Sequence, residues 1–131
     1  MTPPINAKIY EGELADFWFD AHGILCAVSK MVPRTHENQL MNYELIRQIT
    51  GGKRVCLLAD NTLTYEQDDA TRKLMATEIP KVFKAMAVFS RTIFGQAVSD
   101  TFLYYQGTPV PIKTFKNEEE ARQWLQQHLG Q

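Results

Sequence analysis

The sequence lacks most of the patterns that announce a chemistry. It has no HExxH, no Walker-A loop, no GxSxG and no CxxC pair, so the signatures of metalloproteases, P-loop enzymes, α/β-hydrolases and dithiol redox proteins are missing. Its two cysteines, Cys26 and Cys56, stand inside apolar strand-like runs, where reduced buried thiols are expected rather than a disulfide or a nucleophile. The three histidines, His22, His36 and His128, fall on a turn, a helix start and a helix end and are not spaced as metal ligands, so no metal and no cofactor are expected. No apolar run approaches the roughly 20 residues that span a bilayer. The first residues, MTPPINAK, carry neither a basic region nor an apolar stretch. No signal peptide, no membrane insertion and a cytoplasmic location are therefore the expectations. Charge of one sign is scarce as well. A formal net charge of −1 leaves nothing global to draw nucleic acid or an anionic membrane.

What is present is ordinary for a globular protein. The 131 residues are 44% hydrophobic and 22% charged, without internal repeat, linker or low-complexity segment, so one domain covering residues 1–131 is expected. The chain is organised around the stretch 54–74. The pair Gly51-Gly52 precedes an apolar run from Val55 to Ala59 that ends on Asp60, the pattern of a strand covered on both faces. Asp60, Asn61 and Thr62 then fall at the carboxyl end of that strand, where open α/β sheets present their sites.

In chain order, residues 5–10 alternate apolar and polar as an edge strand does. Residues 14–20 and 24–30 form a hairpin around Ala21-His22-Gly23, with Phe17 and Phe19 on one face and Trp18 on the other. Thr35 caps a helix that buries Leu40, Met41, Leu45, Ile46 and Ile49 and stops at Gly51. After the central strand, Thr64 and Gln67 have capping-box spacing, and the helix they open should end at Ile79, before Pro80. Its thin apolar face (Ala70, Leu74, Thr77 and Glu78 on the helical period) leaves it half exposed. Residues 82–89 read as a strand. Ser90 then caps a helix over 91–105 that is apolar nearly all round and is closed by Gly107-Thr108-Pro109. Residues 110–115 make a short strand whose Pro111 argues for an edge, and Asn117 caps a last helix over 118–129 that faces Ala121, Trp124, Leu125 and Leu129 inward. The implied fold is α/β, a mixed sheet with an N-terminal antiparallel strand and hairpin followed by alternating parallel strands and helices.

That order, with FWFDAHGIL (17–25), Leu63-Thr64, SRTIFGQAVSDTFL (90–103) and PVPIKTFKNEEEARQWL (109–125), resembles SpoIIAA-like (STAS-type) domains and in particular small uncharacterised bacterial SpoIIAA-like proteins. The resemblance implies the scaffold of the anti-sigma factor antagonists, which carry a phosphorylatable serine in an Asp-Ser-Ser-Gly type motif after the central strand. The matching stretch here, TYEQDDA (64–70), has neither serine nor glycine. A phosphate on Thr64 would be favoured by the helix N-terminus but repelled by Glu66, Asp68 and Asp69, so an unmodified cap is preferred.

Two sets of residues stand out as candidates. Asp60, Asn61 and Thr62 with Ser90 and Arg91 would meet at the sheet end and offer amide donors and a guanidinium to a small polar ligand, against the plainer alternative of loop and helix capping. The apolar helix needs cover on more than one side, which makes Trp18, Phe94, Val98, Phe102 and Tyr105 candidate interface residues. A homodimer, with room for an unidentified protein partner, is the reading preferred, because symmetric dimers are the commonest oligomers. The function so read is a non-enzymatic interaction or regulatory domain in which a polar substitution of Phe94 or Phe102 alters the oligomeric state. The alternative is a module that binds a small apolar molecule or lipid between the apolar helix and the hairpin.

Overall fold

A computed structural model describes residues 1–105 and 109–130, without the side chains of Tyr104 and Tyr105. Gly107 and Thr108, expected to close the apolar helix, lie outside the described residues. The hairpin forms where the spacing of turn residues places it. Strands β2 (Ala15–Phe19) and β3 (Leu25–Ser29) pair antiparallel, Phe19 opposite Leu25. The Asp20 carboxylate accepts from the amides of His22 and Ile24, and Gly23 takes φ 78°, a left-handed conformation that suits glycine. Ahead of the hairpin, β1 is only Tyr10–Glu11, shorter than the expected 5–10. Asn6 at φ 68° and the bond from the Ala7 amide to the Pro4 carbonyl bend residues 4–7 into a turn, which takes Ile5 out into solvent.

The second half alternates strand and helix: α1 (His36–Thr50), β4 (Val55–Asp60), α2 (Asp69–Val82), β5 (Phe83–Phe89), α3 (Ile93–Tyr105), β6 (Ile112–Phe115) and α4 (Glu118–Gln126). The sheet runs β1-β2-β3-β4-β5-β6, antiparallel up to β3 and parallel from β3 to β6. This is the mixed sheet expected from the sequence, and β6 with its Pro111 neighbour is an edge.

Strand alternation sorts the core into two layers. Phe17, Leu25, Ala27, Leu57, Ala59, Met86 and Val88 face one side, where Tyr43 and Ile46 of α1, Ile79 and Val82 of α2 and Phe102 of α3 cover them. Trp18, Cys26, Cys56, Leu58, Ala85, Ala87 and Phe89 face the other, where Ala121 and Leu125 of α4 cover them. Three consecutive crossovers thus share one face and the last helix takes the other. The second layer contains small residues, and α4 lies close against β4 and β5. Burial pushes the Cys26 thiol up to about 11 and raises the Cys56 thiol too, so both are poor nucleophiles.

All four helices depart from the expected limits or phase, α4 ending at Gln126 rather than at 129. In α1, Thr35 does cap, its hydroxyl accepting from the Asn38 amide while the Asn38 side chain accepts from the Thr35 amide, and Gly51 closes the helix at φ 66°. The buried stripe, however, runs through Asn38, Gln39, Tyr43 and Ile46, while Leu40 and Met41 are exposed. The large Tyr43 ring sets the phase, about one position away from the methionine stripe. In α2 the cap is Asp68, accepting from the Thr71 amide, so Thr64 and Gln67 do not open the helix. Thr64 is instead buried in the loop before it. The helix also runs through Pro80 rather than stopping ahead of it. Packing of Ile79 and Val82 into the core outweighs the hydrogen bond that proline forfeits in the last turn. In α3 the cap is Thr92, whose hydroxyl accepts from the Gly95 amide, and Ser90 belongs to the turn before it.

Helices α1 and α2 are joined through Glu78, a buried carboxylate bonded to Arg47 at 3.3 Å and Lys81 at 2.9 Å. Burial works against its ionisation, but the bonds to Lys81 and Arg47 outweigh burial and hold its pKa below the ordinary 4.5. A lowered folded value means that this stabilisation is present above the unfolded value and is lost as pH falls through the folded one. Glu78→Gln is therefore expected to cost about 1 kcal/mol at neutral pH, since its partners are partly solvent-screened. Urea unfolding at pH 7 and pH 3 should show that cost shrinking in acid.

Candidate functional site

The carboxyl ends of β3, β4 and β5 converge on one loop cluster. The Asp60 side chain is 2% exposed. Its Oδ1 accepts from the Thr62 amide at 2.9 Å, and its Oδ2 lies 3.3 Å from the Met1 ammonium and 3.6 Å from the Arg91 guanidinium. Burial would raise this carboxyl, yet the Thr62 hydrogen bonds and the Met1 ammonium prevail and keep it below its ordinary value. Asn61 is held at both ends of its amide. Ser29 donates to Oδ1 at 2.6 Å, Nδ2 donates to Ser99 of α3 at 3.1 Å, and the backbone amide bonds the Phe89 carbonyl. Thr62 ties β4 to α3 in two places, accepting from the Arg91 amide and receiving the Thr92 hydroxyl on its carbonyl. The Ser90 hydroxyl turns back onto Thr92. Gly95 lets α3 approach this knot. A Cβ there would meet the Asn61 carbonyl and Ser90 Oγ well inside contact distance.

Asp60, Asn61, Thr62, Ser90 and Arg91 are thus brought together, but their polar groups largely bond one another. The candidate interface residues are scattered. Trp18 is 3% exposed in the α4 layer, and Val98 and Phe102 are buried. Phe94 is exposed, and the Tyr105 side chain lies outside the described residues. The hairpin strands stand second and third in the strand order, and α3 joins the fifth and sixth. The surface around the knot is apolar. Ile93 is 91% exposed, and Leu63, Tyr65 and Phe94 are exposed with it. Because Thr62 is bonded to Arg91 and Thr92, Leu63 and Ile93 follow on the same rim, and a groove brings Phe94 next to Glu66 and Gln67.

A second feature escaped the sequence reading. A cavity of about 100 Å³ lies between the sheet and the inner faces of α1 and α2. Arg34, Gln39, Asn42, Tyr43 and Gln67 contribute its polar wall. The signal was present in α1. Gln39, Asn42, Tyr43 and Ile46 form a helical stripe once Tyr43 sets the phase, and two amides on an inward stripe are unusual.

Among the described residues, no helix is long and apolar enough to cross a membrane. The family model described as "Domain of unknown function (DUF7793)" matches residues 17–129, most of the chain, and the chain belongs to that family. The search of curated proteins found no match. Among solved structures, the chain is similar to an uncharacterized protein from the DUF3478 family with a SpoIIAA-like fold, from Shewanella loihica PV-4. The two share 20% identity at a TM-score of 0.49, over 95% of this chain and 98% of that one.

Proposed function

We propose that this member of the DUF7793 family is a non-enzymatic interaction domain that works by pairing with a second copy of itself through the rim at the carboxyl ends of β4 and β5. The observation that carries the reading is the exposure of Ile93, 91%, beside exposed Leu63, Tyr65 and Phe94. Large apolar side chains gathered on one rim mark a surface that is covered in use. The charges around them favour a second copy as the cover. Arg91, with its side chain 62% exposed, adjoins the rim through the bond from its amide to Thr62, Glu66 lines the groove with Phe94, and Asp68 and Asp69 follow it in sequence. A two-fold axis through the rim sets each arginine against the partner's acidic turn, the self-complementary arrangement of an isologous dimer. The polar knot around Asp60 then serves as the rigid base of the rim, because its hydrogen bonds are already used within the fold. Light scattering at micromolar concentration should return twice the 15.0 kDa mass of the chain. A monomeric mass would remove the proposal.

A further inference from the structure

The cavity under α1 and α2 is built for something other than hydrocarbon. Its floor is apolar, with Phe17, Leu57 and Ile79 among the lining, but its wall carries unmatched polar groups. Asn42 Oδ1 and Gln67 Oε1 are both buried without a hydrogen-bond partner. Buried acceptors without partners are rare, and two on one cavity wall indicate a missing donor. Arg34 reaches the same cavity. Its guanidinium donates to two backbone carbonyls, those of Leu14 at 3.3 Å and Lys30 at 3.4 Å, and forms no ion pair with a carboxylate among the described residues. A partly buried cation that has only carbonyl partners favours an anion beside it. There is also a way in. Arg34 and Gln67 line a surface groove as well, together with Tyr65, Glu66 and Asp68, so these two side chains stand between the cavity and solvent.

We propose that the cavity binds a small aliphatic carboxylate carrying a hydrogen-bond donor on the carbon next to the carboxyl group, an α-amino or α-hydroxy acid of about three carbons. The carboxylate pairs with Arg34, an ammonium donates to both Asn42 Oδ1 and Gln67 Oε1 whereas a hydroxyl donates to one of them, and the short carbon chain rests on the apolar floor. Size sets the limit. A cavity of about 150 Å³ holds a benzene, so about 100 Å³ encloses about four non-hydrogen atoms, and a three-carbon acid of this class fits with part of it standing in the open mouth. The acidic mouth, Glu66 and Asp68, disfavours a plain anion and suits an ammonium on the ligand.

The test uses the full chain and three matched probes, L-alanine, L-lactate and propionate, which differ only in the group on the second carbon. Each is titrated in the millimolar range, and the side-chain amide resonances of Asn42 and Gln67 are followed by NMR. L-alanine or L-lactate should shift both resonances, and whichever binds better identifies the donor as amine or hydroxyl. Propionate should bind at least about tenfold more weakly, because it leaves both acceptors unpaired. Asn42→Leu fills part of the space and removes one acceptor. It should keep the fold and abolish the shift at Gln67, whereas Arg34→Met, which also loses two backbone contacts, serves only where its spectrum remains native. Equal binding of propionate, unchanged binding by Asn42→Leu, or no shift with any probe, as for a cavity filled by water alone, would overturn the assignment.

Discussion

Gly95→Ala is expected to lower stability by about 2 kcal/mol and the melting temperature by about 7 °C. Helix propensity alone argues the other way, since alanine within a helix gains about 1 kcal/mol over glycine. Contact decides the sign. The new methyl group would run into the Asn61 carbonyl, a backbone atom fixed by β4, and into Ser90 Oγ. Neither can yield without moving α3 away from the sheet end, which stretches the bond from Asn61 to Ser99. Overpacking of this kind costs about 3 kcal/mol, more than propensity returns. Gly130, whose added Cβ meets nothing, is the control and should change little when replaced by alanine. Thermal unfolding of the two variants checks the account of how the rim is supported.

Ile93→Glu should weaken self-association about 100-fold or more and leave the stability of the monomer nearly unchanged. Both halves of that outcome follow from exposure. At 91% exposed, Ile93 makes little contact within its own chain, so a surface substitution there changes stability by about 0.5 kcal/mol or less. In a two-fold pair it is buried twice, and each buried isoleucine contributes about 2 kcal/mol, with about 1.4 kcal/mol per factor of ten in affinity. The substituted pair also sets two carboxylates against apolar surface. Sedimentation velocity over a concentration series reads the association, and urea unfolding reads the fold. Phe102, chosen from sequence as an interface residue, would behave differently. It is 4% exposed and packs on the sheet, so a polar replacement would unfold the monomer rather than release it.

The order of elements was legible because each strand carries its own signature. The continuous apolar run over β4, the alternation of Phe17 and Trp18, and Gly23 and Gly51 in left-handed turns are local facts that tertiary structure left alone. The meeting of Asp60 with Ser90 and Arg91 was legible for a related reason, since parallel neighbours deliver their carboxyl ends to one side. What local signals did not settle was settled by packing. Thr64 has the chemistry of a cap but is drawn into the interior, and Asp68 caps α2 in its place. Pro80 has the chemistry of a terminator, yet burial of Ile79 and Val82 carries the helix past it. Helix α3 reads as apolar all round, but one side enters the core at Val98 and Phe102 while Ile93 and Phe94 stay outside. The polar wall of the cavity went unseen because the stripe of α1 was placed on Leu40 and Met41, one position from Gln39.

A cross-link tests the central claim, that the rim beside Ile93 faces a second copy. The native thiols are buried, with that of Cys26 raised to about 11, so a cysteine placed at position 93 is the reactive one. Under mild oxidation Ile93→Cys should form a disulfide-linked dimer at micromolar concentration, while Lys53→Cys, exposed at the other end of β4, should stay monomeric on a non-reducing gel. Equal cross-linking at both positions, or none at position 93, would contradict a two-fold pairing through this rim.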